Sequence, residues 1–246
     1  MAELPGRESA QELIAQSRAE TLKMPIRDVV DAARAGKLSD DGRFRLVARL
    51  WTLERLFYYV YGGWGQGLEV GDCPASVKYL FARQIMDEST HEMLYLDALL
   101  REGRVRKQRE AFQHPYGKFT LDSALAFYVF SIRNLATYSQ VVRIAALNLG
   151  PKIMELAWME ELAQALSDDD LGAVFSSQLV ENRSHINMGR RIVEECVSDE
   201  FNARLCRWAC GVARRDYLAF LQELSDFVLG RPPRAEARGA ALRVTD

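Results

Sequence analysis

Apolar residues recur at steps of three and four along nearly the whole chain, a periodicity that leaves room for little except helices packed side by side. β-Branched residues are scattered, and no alternating run is closed by an Asn-Gly or Asp-Gly turn, so strands are not expected. Glycine, proline and capping residues divide the chain. They predict short helices near 8–21 and 25–36, then a longer one over about 41–62 that ends at Gly62-Gly63. Pro74 opens a helix reaching Glu102-Gly103, and another covers about 121–149 before Gly150-Pro151. Further helices are expected over 151–166, 170–197 and 200–229, with Ser167-Asp168-Asp169-Asp170 suited to the start of the second of these. The expected fold is all-α: a bundle of long helices with additional N-terminal and C-terminal helices, and the segment 103–120 as its crossover. The organisation follows as a polar segment and short helix over 1–24, a bundle domain over 25–230 and a disordered tail over 231–246.

With 246 residues, 48% of them hydrophobic, the chain can bury one good-sized core. Its formal net charge of −2 offers no broad positive field, so neither nucleic acid nor an anionic membrane is an expected partner. The longest apolar stretches, such as Leu125 to Ile132, are far too short to span a bilayer. Cys73, Cys196, Cys206 and Cys210 form no Cys-x-x-Cys pair, and the N-terminus lacks a basic segment followed by an apolar one. Reduced, buried thiols in a cytoplasmic protein are expected.

The chemistry lies in polar residues placed on stripes that ought to be core, since burying an unpaired carboxylate is costly. On the first long helix the stripe reads Val47, Leu50, Trp51, Glu54, Phe57, Tyr58, Tyr61, with Glu54 alone among apolar and aromatic neighbours and in need of a positive partner. On the second it reads Val77, Phe81, Gln84, Glu88, His91, Tyr95, which puts Glu88 and His91 three apart on one face. On the helix near 170–197 it reads Val174, Gln178, Glu181 or Asn182, His185, Met188, Ile192. Two of only three histidines therefore sit mid-helix on inward faces, each about one turn after a carboxylate. Neutral imidazole and carboxylate together suit iron or manganese, and Glu54, Glu88, His91, Glu181 and His185 are the expected ligands. The bland reading of each alone is a half-buried or hydrogen-bonded core residue. Their coincidence favours the metal, with residues 54 and 88 lying 34 positions apart, about one helix and a turn back.

These residues resemble the ferritin-like di-iron oxidase and oxygenase superfamily over roughly 42–197. Asp87-Glu88-Ser89-Thr90-His91-Glu92-Met93-Leu94-Tyr95 is similar to the second-helix motif of the ribonucleotide reductase small subunit, and His185-Ile186-Asn187-Met188-Gly189 to the His-Ile-x-x-Gly of its ligand-binding oxidase relatives. Asp87 to Leu100 also resembles catalytic subunits of phenylacetyl-CoA oxygenase. The resemblance implies a ferritin-like bundle, two iron ions or iron with manganese, and Tyr95 beside the metals as a redox-active phenol. The plainer alternative for Tyr95 is a core tyrosine. Two departures stand out. The motif's glutamate three before His185 is Asn182 here, with Glu181 four before it. The third helix, taken as 121–149, lacks an inward glutamate and places Arg143 where the carboxylate belongs.

Two functions follow as expectations. The first is an oxidase or oxygenase activating dioxygen on a small organic substrate, supplied by an electron-donor protein or reductase and assembled as a homodimer. The second is a metal-free, degenerate ferritin-like scaffold subunit in which Arg143 replaces the cluster by pairing with Glu54 and Glu88. Iron storage is a weaker third reading, as nothing marks a cage former. The acids Glu155, Glu160 and Glu161 are expected on a solvated face, as is the basic loop Arg104 to Arg109, and Trp51, Phe57, Tyr58 and Tyr61 are expected in the core rather than lining a substrate pocket.

Overall fold

The computed structural model describes residues 5–66, 75–113, 135 and 138–232. Among the described residues the structure is entirely helical, and no helix is long and apolar enough to cross a membrane. In chain order the helices are α1 (Pro5–Thr21), α2 (Arg27–Arg34), α3 (Asp40–Gln66), α4 (Ala75–Arg101), α5 (Gln108–Gln113), α6 (Gln140–Asn148), α7 (Pro151–Ala165), α8 (Asp170–Cys196) and α9 (Glu200–Val228). The bundle is built from two hairpin pairs, α3 with α4 and α7 with α8. They meet where α4 touches α8, while α9 packs on α6 and α3. The core includes Leu50, Trp51, Phe81, Trp158, Phe175 and Phe220, all fully buried or nearly so.

Most expected boundaries hold to within a few residues, for local reasons. Asp169 accepts a hydrogen bond from the Leu171 amide at 2.8 Å and Asp199 one from Asn202 at 2.8 Å, which satisfies the first free N–H groups of α8 and α9. α3 does not stop at Gly62-Gly63 but continues to Gln66. Two interior glycines cost about 1 kcal/mol each relative to alanine, which packing along α4 offsets. Most of the helix expected over 121–149 lies outside the described residues; its described end is α6, capped by the Ser139 hydroxyl. α1 does not stand apart from the bundle. Its Ala10 and Leu13 are fully buried, it packs on α7, α8 and α9, and the Ser17 hydroxyl donates to the Leu149 carbonyl at 2.5 Å. The tail beyond Pro232 and Cys73 lie outside the described residues. Cys206 and Cys210 are buried free thiols, with burial raising their pKa values to about 12 and about 11.

Two glycines set distances near the bundle centre. Gly150 separates α6 from α7, and a Cβ there would lie 2.6 Å from the Ala146 carbonyl oxygen. Gly189, the glycine of the His-Ile-x-x-Gly stretch, lets α8 approach α6: a Cβ would lie 2.7 Å from that of Asn148. Asn148 is fully buried, takes a hydrogen bond from Gln84 at 3.2 Å and donates to the His185 carbonyl at 3.0 Å, so it has no room to retreat. Gly189→Ala is accordingly expected to lose about 1–2 kcal/mol, overpacking outweighing the helix propensity gained. Urea unfolding checks this; an unchanged midpoint would mean that α6 and α8 can separate freely.

Candidate metal centre

Glu54 from α3 and Glu88 and His91 from α4 converge in the bundle interior, all fully buried or nearly so. His91 Nδ1 lies 3.3 Å from Glu88 Oε2 and 3.7 Å from Glu54 Oε2. These three fall together as the stripe positions anticipated, and each contributes one potential ligand atom within 4.8 Å of the others.

His185 is equally buried, one helix across, and its Nε2 is 2.7 Å from Asp87 Oδ2. His91 Nε2 is 2.9 Å from Glu181 Oε2. The two contacts are the same device used crosswise. On α4 the acid immediately before Glu88 holds the far nitrogen of the α8 histidine; on α8 the acid immediately before Asn182 holds the far nitrogen of the α4 histidine. Glu181 thus sits behind His91, on the nitrogen opposite the buried carboxylates. Asn182 takes the place that Glu88 has on α4; it is fully buried, its amide facing Met159 Sδ at 3.5 Å. Asp87 is itself gripped by Arg83, whose Nε lies 2.9 and 2.8 Å from its two oxygens.

A further buried carboxylate is Glu155 of α7, the helix that packs along α8; it is only 2% exposed. The expectation that Glu155 is solvated is corrected, while Glu160 and Glu161 do lie outside, paired with Arg183 at 2.6 Å and Arg27 at 2.8 Å; most of the helix expected over 121–149 lies outside the described residues. The cation at the buried carboxylates is also not the one expected. Arg143 donates from Nε to the Leu135 carbonyl at 2.6 Å and from Nη1 to Gln140 at 3.2 Å. Lys152, one turn before Glu155, takes that role instead. Its Nζ lies 3.0 and 3.4 Å from the two oxygens of Glu88, 2.9 Å from Glu155 Oε2, and 5.1 Å from the centroid of the Phe57 ring.

The electrostatics follow from burial. Desolvation, then the neighbouring Glu88, holds the Glu54 carboxyl well above the ordinary range. Burial pushes Glu88 the same way but is outweighed by Lys152 and by the His91 hydrogen bond, so its carboxyl stays well below that range. Burial disfavours charged His91, yet its hydrogen bonds to Glu181, Glu54 and Glu88 prevail and raise it well above the usual imidazole value.

Tyr95 lies one turn after His91, buried, with its hydroxyl 3.3 Å from Gln178 Oε1 and its ring edge-on to Phe175. Burial and the carboxylates Glu54 and Glu155 raise its phenol well above 10. A second buried phenol, Tyr217 of α9, accepts a hydrogen bond from Trp158 at 2.9 Å, and the same two carboxylates add to the effect of burial on it. Trp51 and Phe57 are core residues, whereas the side chains of Tyr58 and Tyr61 lie outside the description. The basic loop is tied down in part, with Arg104 paired to Asp41 at 2.8 Å and stacked on Phe44.

No protein-family model matches this sequence, and no curated protein matches it. The chemistry of the site therefore rests on its own geometry.

Proposed function

We propose that this chain is a ferritin-like, metal-dependent oxidoreductase that uses iron, alone or with manganese, to activate dioxygen for the oxidation of a small organic substrate. The observation that carries this reading is the crossed pair of histidines. A carboxylate on Nε2 fixes the proton of a neutral imidazole on that nitrogen and leaves Nδ1 as a lone pair, the arrangement in which metal-ligating histidines are held. His185 Nδ1 and Asn182 Oδ1 are buried without a hydrogen-bond partner among the described residues, a costly state that a cation relieves.

Glu54, Glu88 and His91 would hold a divalent ion at one end of the centre, and Glu88 and Glu155 share the Lys152 amine at the other. Ferrous iron so held would supply the electrons for dioxygen reduction, with hard carboxylate ligands to offset its charge. The chain itself fixes the two imidazoles through Asp87 and Glu181, so little reorganisation is needed when ligands bind. Trp158, Phe175 and Tyr95 wall the interior and keep water from the reacting groups. Burial keeps the Tyr95 phenol neutral, the form that gives up a hydrogen atom rather than a bare proton.

A second reading is favoured by Lys152. A cation already paired with Glu88 and Glu155, beside Asn182 in place of an acid, is what a metal-free scaffold would carry. Elemental analysis of protein expressed with iron, followed by oxygen uptake with a chemical reductant, separates the two: bound iron with uptake supports the enzyme, and iron-free, inert protein supports the scaffold. Glu181→Gln offers a finer check. It leaves the shape intact but removes the carboxylate on His91 Nε2, and a 10–100-fold loss of metal affinity is expected. Unchanged affinity would place His91 outside the ligand set.

A further inference from the structure

The two ends of the centre are not equivalent. Glu54, Glu88 and His91 meet without an intervening cation, whereas the space between Glu88 and Glu155 is taken by the Lys152 amine, within 3.0 Å of the first and 2.9 Å of the second. An ion that ligated Glu88 and Glu155 together would have to stand where Nζ stands. We propose that the Lys152 side chain permanently fills the second ion's place, so that each chain takes up a single divalent ion, at the Glu54, Glu88 and His91 end. This rests on the reading of the centre as metal-binding.

Three further observations support it. The Lys152 side chain has no route to solvent: the residue is 1% exposed and its amine lies against the Phe57 ring. Its backbone is fixed as well, since it is the second residue of α7, directly after Pro151 and the break at Gly150, where there is no space even for a Cβ. Finally, the ligand set has been altered to match. Where α4 offers Glu88, α8 offers the neutral Asn182, leaving three carboxylates to line the centre. Three carboxylates balance one divalent ion and one ammonium. Two divalent ions beside the same ammonium would leave two uncompensated positive charges in the interior, an arrangement that proteins avoid. Lys152 and Asn182 therefore act together on the charge of the centre.

Manganese(II) is the probe, because it needs no anaerobic handling and its paramagnetic resonance spectrum distinguishes an isolated ion from a spin-coupled pair. Isothermal titration of the full chain is expected to give about one ion, with the spectrum of an isolated centre. Lys152→Ala, which opens the space and removes the charge, is expected to take up about two, twofold more, with coupling between them; Lys152→Arg, which restores a cation, should return to one. Two coupled ions in the parent chain would overturn the inference and leave the metal reading standing, as would a count that stays at one in Lys152→Ala. No ion in the parent chain would overturn both. Should Lys152→Ala fail to fold, the count and spectrum of the parent still decide.

Discussion

Replacing Glu88 with alanine is expected to empty the metal centre and to destabilise the fold at the same time. Glu88 is the one carboxylate touched by both halves of the site, at 3.3 Å from His91 Nδ1 and 3.0 Å from Lys152 Nζ. Removing it takes a ligand from the Glu54 and His91 end, so bound iron should fall below about a tenth of the parent's, given how steeply affinity depends on ligand number. It also takes away one of the carboxylates paired with the buried Lys152, and breaking a buried pair by removing one partner costs about 3–5 kcal/mol. For a chain of this size that is a fall in melting temperature of about 10 °C. Glu88→Gln keeps the shape and loses the charge, so it should bind as little iron. Calorimetry with elemental analysis reads both effects; a variant that melts like the parent and keeps its iron would remove Glu88 from the centre.

Metal uptake should also be steeply dependent on pH. Without metal, burial and Glu88 keep the Glu54 carboxyl protonated, and the hydrogen bonds of His91 to Glu181, Glu54 and Glu88 keep its ring protonated against the opposing effect of burial. A metal binds carboxylate and neutral imidazole, so both protons must leave. Protons should therefore be released on binding, and affinity should rise as pH climbs through the raised values of Glu54 and His91. Titration calorimetry in buffers of different ionisation enthalpy measures the count directly, and a value of zero would mean that the ligands are already deprotonated. Stability of the metal-free chain carries the matching sign. Raised values at Glu54 and His91 contribute stability below their unfolded-state values that is lost as pH climbs through the folded ones. The lowered value of Glu88, held down by Lys152 against burial, contributes stability that is lost on acidification. The metal-free protein should therefore be most stable between these limits, and metal should shift that optimum upward.

Glu54, Glu88, His91 and His185 were readable in the sequence because each interrupts an apolar stripe, and a stripe of period near 3.6 is a strong signal when it runs for many turns. Glu155 and Lys152 were not readable in the same way, although a signal existed. Glu155 shares its face with Trp158, Met159 and Leu162, all buried, whereas Glu160 and Glu161 do not. What hid it was its company: the helix over 151–166 could offer a missing carboxylate, but with Glu160 and Glu161 beside it a solvated face is the plainer reading of the three acids. Lys152 follows a proline at a helix start, where a basic side chain usually reaches solvent, and only the tertiary placement of α7 turns it inward. The acids Asp87 and Glu181 are a third case. Each directly precedes the residue whose spacing attracts attention, so their crossed hydrogen bonds become visible only once α4 and α8 are side by side.

The break at Gly150-Pro151 also governs how this chain can vary in length. α7 carries Lys152 and Glu155 in its first turns, directly after the junction, and Ser17 of α1 holds the Leu149 carbonyl just before it. One residue added between Asn148 and Lys152 would rotate α7 by about 100° and carry both side chains out of the interior, so that a length change here acts on the site like a double substitution. The connection at 166–169 has no such burden, because Asp169 resets the start of α8 with its own cap. Relatives that keep this centre should therefore hold their residue count fixed across the first junction and drift freely at the second, which makes spacing, rather than residue identity, the more durable mark of descent.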